Sequence, residues 1–352
     1  MSTIDKKYIG IYNIVLQNNG YLEKKVKFLK KIKMGAYITA NMILNSYDKS
    51  RPEYIHIVAG KSELRLIQYK NFEDIYYGDT QKNLKDLLYQ KTLFSYFTRK
   101  ERLMIFVNAI LIFFKNRSIK GPVVYWIDFL FWNEFLNVSN AKILLSNGHY
   151  DRLTTSLSYL CKSKKILFHM RQHGIILANG MIPNKIFCDK LYVFDERNKL
   201  CFKNSIIRNM DCEYIIEYKN NVRFSTFNKK GRLVGIIENP CFEMKKIINC
   251  VINYYGSDTM ILIMLHPLSK ERDYKEFKRK NVEFISQKIW NIDLLISATS
   301  TLAYDYIRNG FTKKILFVDL NGLFPEYKNT FGNLVYLNDL EGLEENLHNE
   351  HL

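Results

Sequence analysis

Residues 142–174 read KILLSNGHYDRLTTSLSYLCKSKKILFHMRQHG, and the succession of patterns in this stretch decides the fold class. Apolar Ile143 to Leu145 predict a short strand that ends in Ser146-Asn147-Gly148. Residues 151–161 follow with leucines at helical intervals, and residues 166–170 predict the next strand. A strand, a helix and a second strand within about 30 residues form the parallel crossover unit of an α/β sheet. We therefore predict an α/β fold with parallel strands.

The same alternation continues on both sides of a polar, poorly periodic stretch at residues 217–232. Further strands are predicted at residues 54–58, 191–194, 233–237, 260–265, 282–285, 294–296 and 315–318, with helices at 81–96, 100–115, 242–255 and 302–309. We predict two doubly wound, Rossmann-like α/β domains that face a central cleft. Their expected bounds are residues 1–222 and 223–335, followed by a C-terminal tail or helix at 336–352.

Composition limits the class of protein. The chain has 352 residues, 47% of them hydrophobic, so it is too long for a typical single domain and too apolar to be disordered. The six cysteines lack metal-ligand spacing, which favours reduced thiols in a cytoplasmic protein. The net charge of +17 suits anionic lipids, phosphorylated substrates or nucleic acid. Zinc-finger spacing, an RNA-recognition signature and an Arg-rich arm are all absent, so we expect no nucleic-acid partner.

Residues 103–114, LMIFVNAILIFF, form the longest apolar run. Twelve residues are too few to span a bilayer, which needs about 20. A buried helix is the first interpretation. The alternative is an interfacial helix that docks on an anionic membrane together with the lysines between Lys24 and Lys33. Because the N-terminal MSTIDKKYIG lacks the apolar core of a signal peptide, we expect a cytoplasmic protein, peripheral at the inner face of a membrane.

Polar residues follow several predicted strands directly. They are Asn147 and His149, Gln172-His173-Gly174, Glu238-Asn239, His266-Pro267, and Ser297 to Thr301. The carboxyl ends of parallel strands meet at one edge of a sheet, where ligands bind. His173 is the predicted general base, since an imidazole titrates near neutral pH and Gly174 lets a ligand approach the backbone. A core histidine without a function is the alternative for His173.

The second domain carries the pattern of a phosphate site. Pro267 ends its strand and presents His266 to a phosphate oxygen or a leaving group. Ser297, Ser300 and Thr301 lead into a helix whose free N–H groups attract anions. Ordinary helix capping by Ser300 or Thr301 is the alternative. The chain has no Asp-x-Asp pair, no Walker lysine loop, no G-x-G-x-x-G and no G-x-S-x-G, so we expect neither a metal nor a resident cofactor.

These motifs resemble those of bacterial GT-B glycosyltransferases of surface polysaccharides. The quoted stretch, ILIMLHP at residues 261–267 and DLLISATSTLAYDYI at 293–307 are similar to segments of sialyltransferases, polysialyltransferases and capsule Kdo transferases, and more distantly of teichoic-acid glycerophosphotransferases. The resemblance covers about residues 141 to 310 and implies a GT-B fold. It implies that His173 is the catalytic base, and that His266 and the hydroxyls of Ser297, Ser300 and Thr301 contact the donor phosphate. The acidic-acidic-Gly motif of sialyltransferases is absent, and the first loop lacks an Asp before His149.

The resemblance thus implies a metal-independent glycosyltransferase with an acceptor-side first domain and a nucleotide-sugar-binding second domain. We expect a CMP-linked nonulosonic acid such as sialic acid as the donor, and a capsule, O-antigen or lipid-linked oligosaccharide as the acceptor. Glu238 and Asn239 are expected to contact the donor, with Asn147, His149, Gln172 and Gly174 in support of the base. Two alternatives stay open: a CDP-polyol phosphotransferase and a non-catalytic basic binding module.

Overall fold

A computed structural model describes residues 6–18, 28–58, 71–77, 91–148, 151–172, 186–217, 222–228, 231–239, 243–266, 269–322, 328 and 332–349. The chain divides into two compact units, Met1–Glu217 and Tyr218–Leu352. Each unit contains a six-stranded sheet, and neighbouring strands pair in parallel throughout both sheets. The predicted α/β class with two doubly wound sheets is confirmed.

The first sheet has the strand order β2-β1-β3-β4-β5-β6. Its strands are β1 (Tyr54–Val58), β2 (Glu73–Tyr76), β3 (Ile143–Ser146), β4 (Leu167–Arg171), β5 (Lys190–Val193) and β6 (Glu213–Ile216). The α-helices of this unit are α1 (Lys6–Asn18), α2 (Phe28–Leu44), α3 (Arg99–Lys115), α4 (Val123–Val138), α5 (Arg152–Lys164) and α6 (Glu196–Cys201). Of the helix predicted at residues 81–96, the described part holds only a 3-10 turn, Leu93–Tyr96.

The second sheet has the order β12-β11-β10-β7-β8-β9. Its strands are β7 (Leu233–Ile237), β8 (Met260–Met264), β9 (Val282–Ile285), β10 (Leu294–Ser297), β11 (Ile315–Val318) and β12 (Leu334–Leu337). Its helices are α7 (Met244–Tyr254), α8 (Thr301–Arg308) and α9 (Leu340–His348), with a 3-10 helix at Glu271–Phe277. Central strands β7, β8, β10 and β11 are buried along their whole length, because helices cover a parallel sheet on both faces.

The polar stretch at residues 217–232 belongs, except for Glu217, to the second unit. Ser225 pairs with Ile289 in a parallel bridge. The ring of Phe224 lies 4.9 Å from that of Trp290 and 4.7 Å from that of Tyr306. At the other end of this unit, β12 and α9 complete the fold, since Leu343 and Leu347 are fully buried. The boundary expected after residue 335 therefore falls inside β12.

The apolar run of residues 103–114 forms α3, but the first interpretation of a buried helix is wrong for half of it. Ala109 is fully buried, whereas Leu103 and Phe114 are exposed. The reason is the next helix, α4, which is apolar on nearly all sides and fills the adjacent core with aromatic rings such as Trp126 and Phe129. No helix in the described ranges is long and apolar enough to cross a bilayer.

Candidate functional site

Each sheet has a point at which its strand order reverses. In the first sheet β1 and β3 are neighbours, and in the second β7 and β10 are neighbours, with later strands added outward on both sides. Such a switch point opens a crevice at the carboxyl ends of the strands, and ligands bind there in open α/β sheets. Asn147 follows β3, Asn239 follows β7 and Thr299 follows β10, so all three residues lie at these two points.

Glu238, directly after β7, organises the neighbouring loop after β8. Its carboxylate is buried, and Oε2 accepts a hydrogen bond of 2.7 Å from the backbone N–H of His266. Oε1 accepts from Ser269 Oγ at 2.9 Å and from the Tyr274 hydroxyl at 2.7 Å. Burial and this carboxylate raise the pKa of Tyr274, so the phenol keeps its proton and donates. Both carboxylate oxygens of Glu238 therefore accept hydrogen bonds from the segment that begins at His266, and the predicted contact of Glu238 with the donor stays a prediction.

Asn239 and Thr299 join the two strands across the switch point of the second sheet. Asn239 Nδ2 donates to the carbonyl oxygen of Thr299 at 3.4 Å. Thr299 has a φ of 50°, in the left-handed region that β-branched residues avoid. Its side chain is 5% exposed, and within the described part of the chain Oγ1 has no hydrogen-bond partner. A strained residue that buries an unpaired hydroxyl is typical of a binding site.

Helix α8 begins at Thr301, two residues after Thr299. Ser300 is its N-cap and accepts a hydrogen bond of 3.3 Å from the N–H of Leu302. The N–H of Ser300 in turn donates to Ser297 Oγ at 3.3 Å, and Ser297 is fully buried. Ser297 therefore supports the turn, and Thr301 is the first helical residue. The capping alternative is correct for Ser300, and the positive end of the helix dipole still lies beside Thr299.

A chain of three polar side chains spans the switch point of the first sheet. Asn147 is buried, and its Nδ2 donates to His56 Nε2 at 2.8 Å. Nδ1 of His56 then carries the ring proton and donates to Asp74 Oδ1, also at 2.8 Å. At the next position, Gly148 leaves no room for a Cβ, which would overlap Thr154 Oγ1 at the start of α5. The loop after β3 is thereby fixed at its first two residues.

Gln172 marks the end of β4 and is fully buried. Its Nε2 donates to Asn198 Oδ1 at 2.6 Å, and its Oε1 accepts from the N–H of Phe194 at 2.9 Å. Gln172 therefore ties the point where β4 ends to the segment after β5. His173, Gly174, His149 and Pro267 lie outside the described residues, so their predicted roles stay predictions.

In the networks around Glu238 and Asn147, the sequence did not single out four side chains: His56, Asp74, Ser269 and Tyr274. His56 offered one signal, a lone imidazole within the apolar strand YIHIV. The other three gave none, because they meet their partners only through the pairing of distant strands. Thr299 lay within the recognised SATST segment, but its backbone conformation cannot be read from residue types.

The fold is similar to those of several solved structures. The UDP-GlcNAc 2-epimerase from Methanocaldococcus jannaschii matches with a TM-score of 0.50 and 13% identity, over 84% of this chain and 92% of its own. Anabaena HepE in complex with UDP and glucose matches with a TM-score of 0.49 and 11% identity, over 85% and 89%. MurG of Acinetobacter baumannii matches with a TM-score of 0.46 and 9% identity, over 86% and 91%. No protein-family model matches the chain, and no curated protein matches its sequence. Together with the two parallel sheets, the first match identifies the two-domain GT-B fold.

Proposed function

We propose that this protein is a metal-independent glycosyltransferase whose second unit binds a nucleotide-activated sugar. The observation that carries the proposal is the junction of Asn239 and Thr299 across the switch point of the second sheet. There a buried hydroxyl without a partner lies beside the start of α8. A phosphate oxygen would accept from that hydroxyl and from N–H groups of the helix start, and the helix dipole would favour its negative charge.

The roles of the remaining residues follow from their chemistry. His266, on the loop that Glu238 holds, donates to the donor phosphate, and Pro267 ends the strand beside it. Ser300 contributes to the same anion site through the N-cap. His173, supported by Gly174, Asn147 and His149, removes the proton of the acceptor hydroxyl. The hydroxyl oxygen then forms a bond to the anomeric carbon, the bond from that carbon to the phosphate oxygen breaks, and the nucleotide leaves with that oxygen.

We propose a CMP-linked nonulosonic acid such as sialic acid as the donor. The proposed acceptor is a surface polysaccharide or a lipid-linked oligosaccharide at the inner face of a membrane. Support comes from the motif resemblance, with His173 in the place of the acidic residue of sialyltransferases. UDP-linked donors belong in the same test, since a UDP-GlcNAc 2-epimerase shares the fold. CDP-glycerol and CDP-ribitol represent the phosphotransferase alternative.

A donor screen tests the proposal. CMP-, UDP- and CDP-linked compounds are added to the full chain in the presence of EDTA, and the melting temperature is recorded. A ligand that binds only the folded state raises the free energy of unfolding, by about 2.7 kcal/mol at a concentration of about a hundred times Kd. The melting temperature rises as a result. We expect CMP-sialic acid to give the largest shift and to release CMP when an acceptor is added. Nucleotide release from CDP-polyols alone would show that the donor is a CDP-polyol and not a CMP-linked sugar. An unchanged melting temperature with every nucleotide would contradict the proposed donor site.

A further inference from the structure

Helix α3 presents an apolar face to solvent. Its large exposed side chains are Leu103, Met104, Val107, Leu111 and Phe114, with exposed fractions from 40% for Leu111 to 74% for Phe114. They recur every three or four residues and therefore lie along one side of the helix. No charged residue interrupts the sequence between Leu103 and Phe114. Exposed apolar side chains that are contiguous, rather than scattered, mark a surface that contacts something.

The opposite side of α3 fixes the orientation of this face. Arg102 is 1% exposed and donates from Nη1 to the carbonyl oxygens of Met42 and Asn45, at 3.0 and 2.7 Å. These carbonyls lie at the end of α2, where a cation is favoured by the helix dipole. About two turns further on, the carbonyl oxygen of Ala109 accepts from Trp126 Nε1 at 3.0 Å. Because the polar anchors and the core contacts lie on one side, the apolar residues on the other side cannot turn inward.

Both ends of the apolar face are basic. The exposed cations are Arg99 and Lys100 before it, and Lys115, Arg117 and Lys120 after it, while Glu101 is the single acidic residue between positions 99 and 120. Two cations in the first turn oppose the helix dipole, so helix stability does not account for their position. The apolar face measures roughly 16 Å along the helix axis, at 1.5 Å per residue. A short apolar face with basic ends matches a helix that lies in the plane of an anionic bilayer.

We propose that α3 is a docking surface for an anionic membrane, with its apolar residues among the acyl chains and its terminal cations on the phosphate head groups. The biological role of this docking rests on the proposed function, because a lipid-linked acceptor is presented at a membrane surface. Its physical basis is the exposed apolar face of α3 together with the exposed cations on both sides of that face. Neither a nucleotide nor turnover enters the following test, so its failure and that of the donor site are distinguishable.

Sedimentation with vesicles tests the proposal. The full chain is mixed with vesicles of phosphatidylcholine alone, or with about 30% phosphatidylglycerol. We expect the protein to pellet with the anionic vesicles only, and to be released as NaCl rises from about 50 mM to about 500 mM, because salt screens the head-group charge. The double variant Leu103→Ser/Phe114→Ser should bind at least about tenfold more weakly, since both side chains would be buried in the bilayer. Its melting temperature should stay near that of the wild type, because both are exposed in the fold.

Met210→Ser is the matched control. Met210 is 98% exposed in the same unit but outside α3, so its loss should leave vesicle binding unchanged. Equal recovery with neutral and anionic vesicles, or full binding by the double variant, would overturn the proposal. Light scattering tests whether the apolar face binds a second copy of this chain instead. If a dimer forms with rising concentration and is lost in the double variant, α3 is a dimer interface and the membrane proposal is overturned.

Discussion

Thr299 carries two energetic costs at one residue. An L-residue in the left-handed region costs about 1–2 kcal/mol, and a buried hydroxyl without a partner costs about 1–3 kcal/mol. Lys165 is the other non-glycine residue with a positive φ in the described ranges, and there the conformation serves as the C-cap of α5. Thr299 does not cap a helix C-terminus in this way. In the proposed function, a ligand that accepts a hydrogen bond from its hydroxyl would offset these energetic costs.

Thr299→Gly should therefore separate stability from binding. Glycine adopts the left-handed conformation freely, so the free energy of unfolding should rise by about 0.5–1 kcal/mol. The same variant lacks the hydroxyl and should bind the donor about tenfold more weakly. Thermal denaturation and calorimetric titration measure the two effects.

Lys165→Gly provides the control, because it relieves the same strain far along the sequence from the proposed donor site. Its stability should rise and its donor affinity should not change. Wild-type affinity in Thr299→Gly would show that the hydroxyl does not contact the donor.

At the scale of an element, the loop after β8 depends on Glu238. Glu238→Gln leaves one acceptor oxygen for three donors and points an amide N–H group at a donor. We expect the variant to lose about 1–3 kcal/mol of stability and to weaken donor binding about tenfold, since His266 is no longer held. Tyr274→Phe removes a single donor to the same carboxylate and should have a smaller effect on both. A Glu238→Gln variant with wild-type stability and wild-type affinity would exclude the positioning role.

Elements with a strong apolar pattern could be predicted from the sequence. Residues 233–237 and 315–318 have the predicted bounds, because a strand buried on both faces reads as an uninterrupted apolar run between polar residues. The exposure of α3 could not be predicted. An apolar run does not reveal which neighbouring helix occupies the core, and here α4 does.

For the whole molecule, the division into two α/β units was predictable from the way the strand pattern stops and resumes at residues 217–232. Strand order was not, since the sequence does not say on which side of the sheet each new strand is added. That order creates the switch points and brings Asn239 to Thr299, and His56 to Asn147. Single candidate residues such as His266 could be named from the sequence, whereas the hydrogen-bond networks around them required the fold.

The central claim is that the second unit binds the donor phosphate through His266 and that His173 acts on the acceptor. Calorimetric titration of the donor identified by the screen, into the wild type, His266→Ala and His173→Ala, tests it most directly. We predict that His266→Ala binds the donor about tenfold more weakly, because a hydrogen bond to phosphate exists before any reaction. His173→Ala should bind it as the wild type does, although its turnover falls by about a hundredfold to ten-thousandfold. Unchanged donor affinity in a folded His266→Ala variant would contradict the claim.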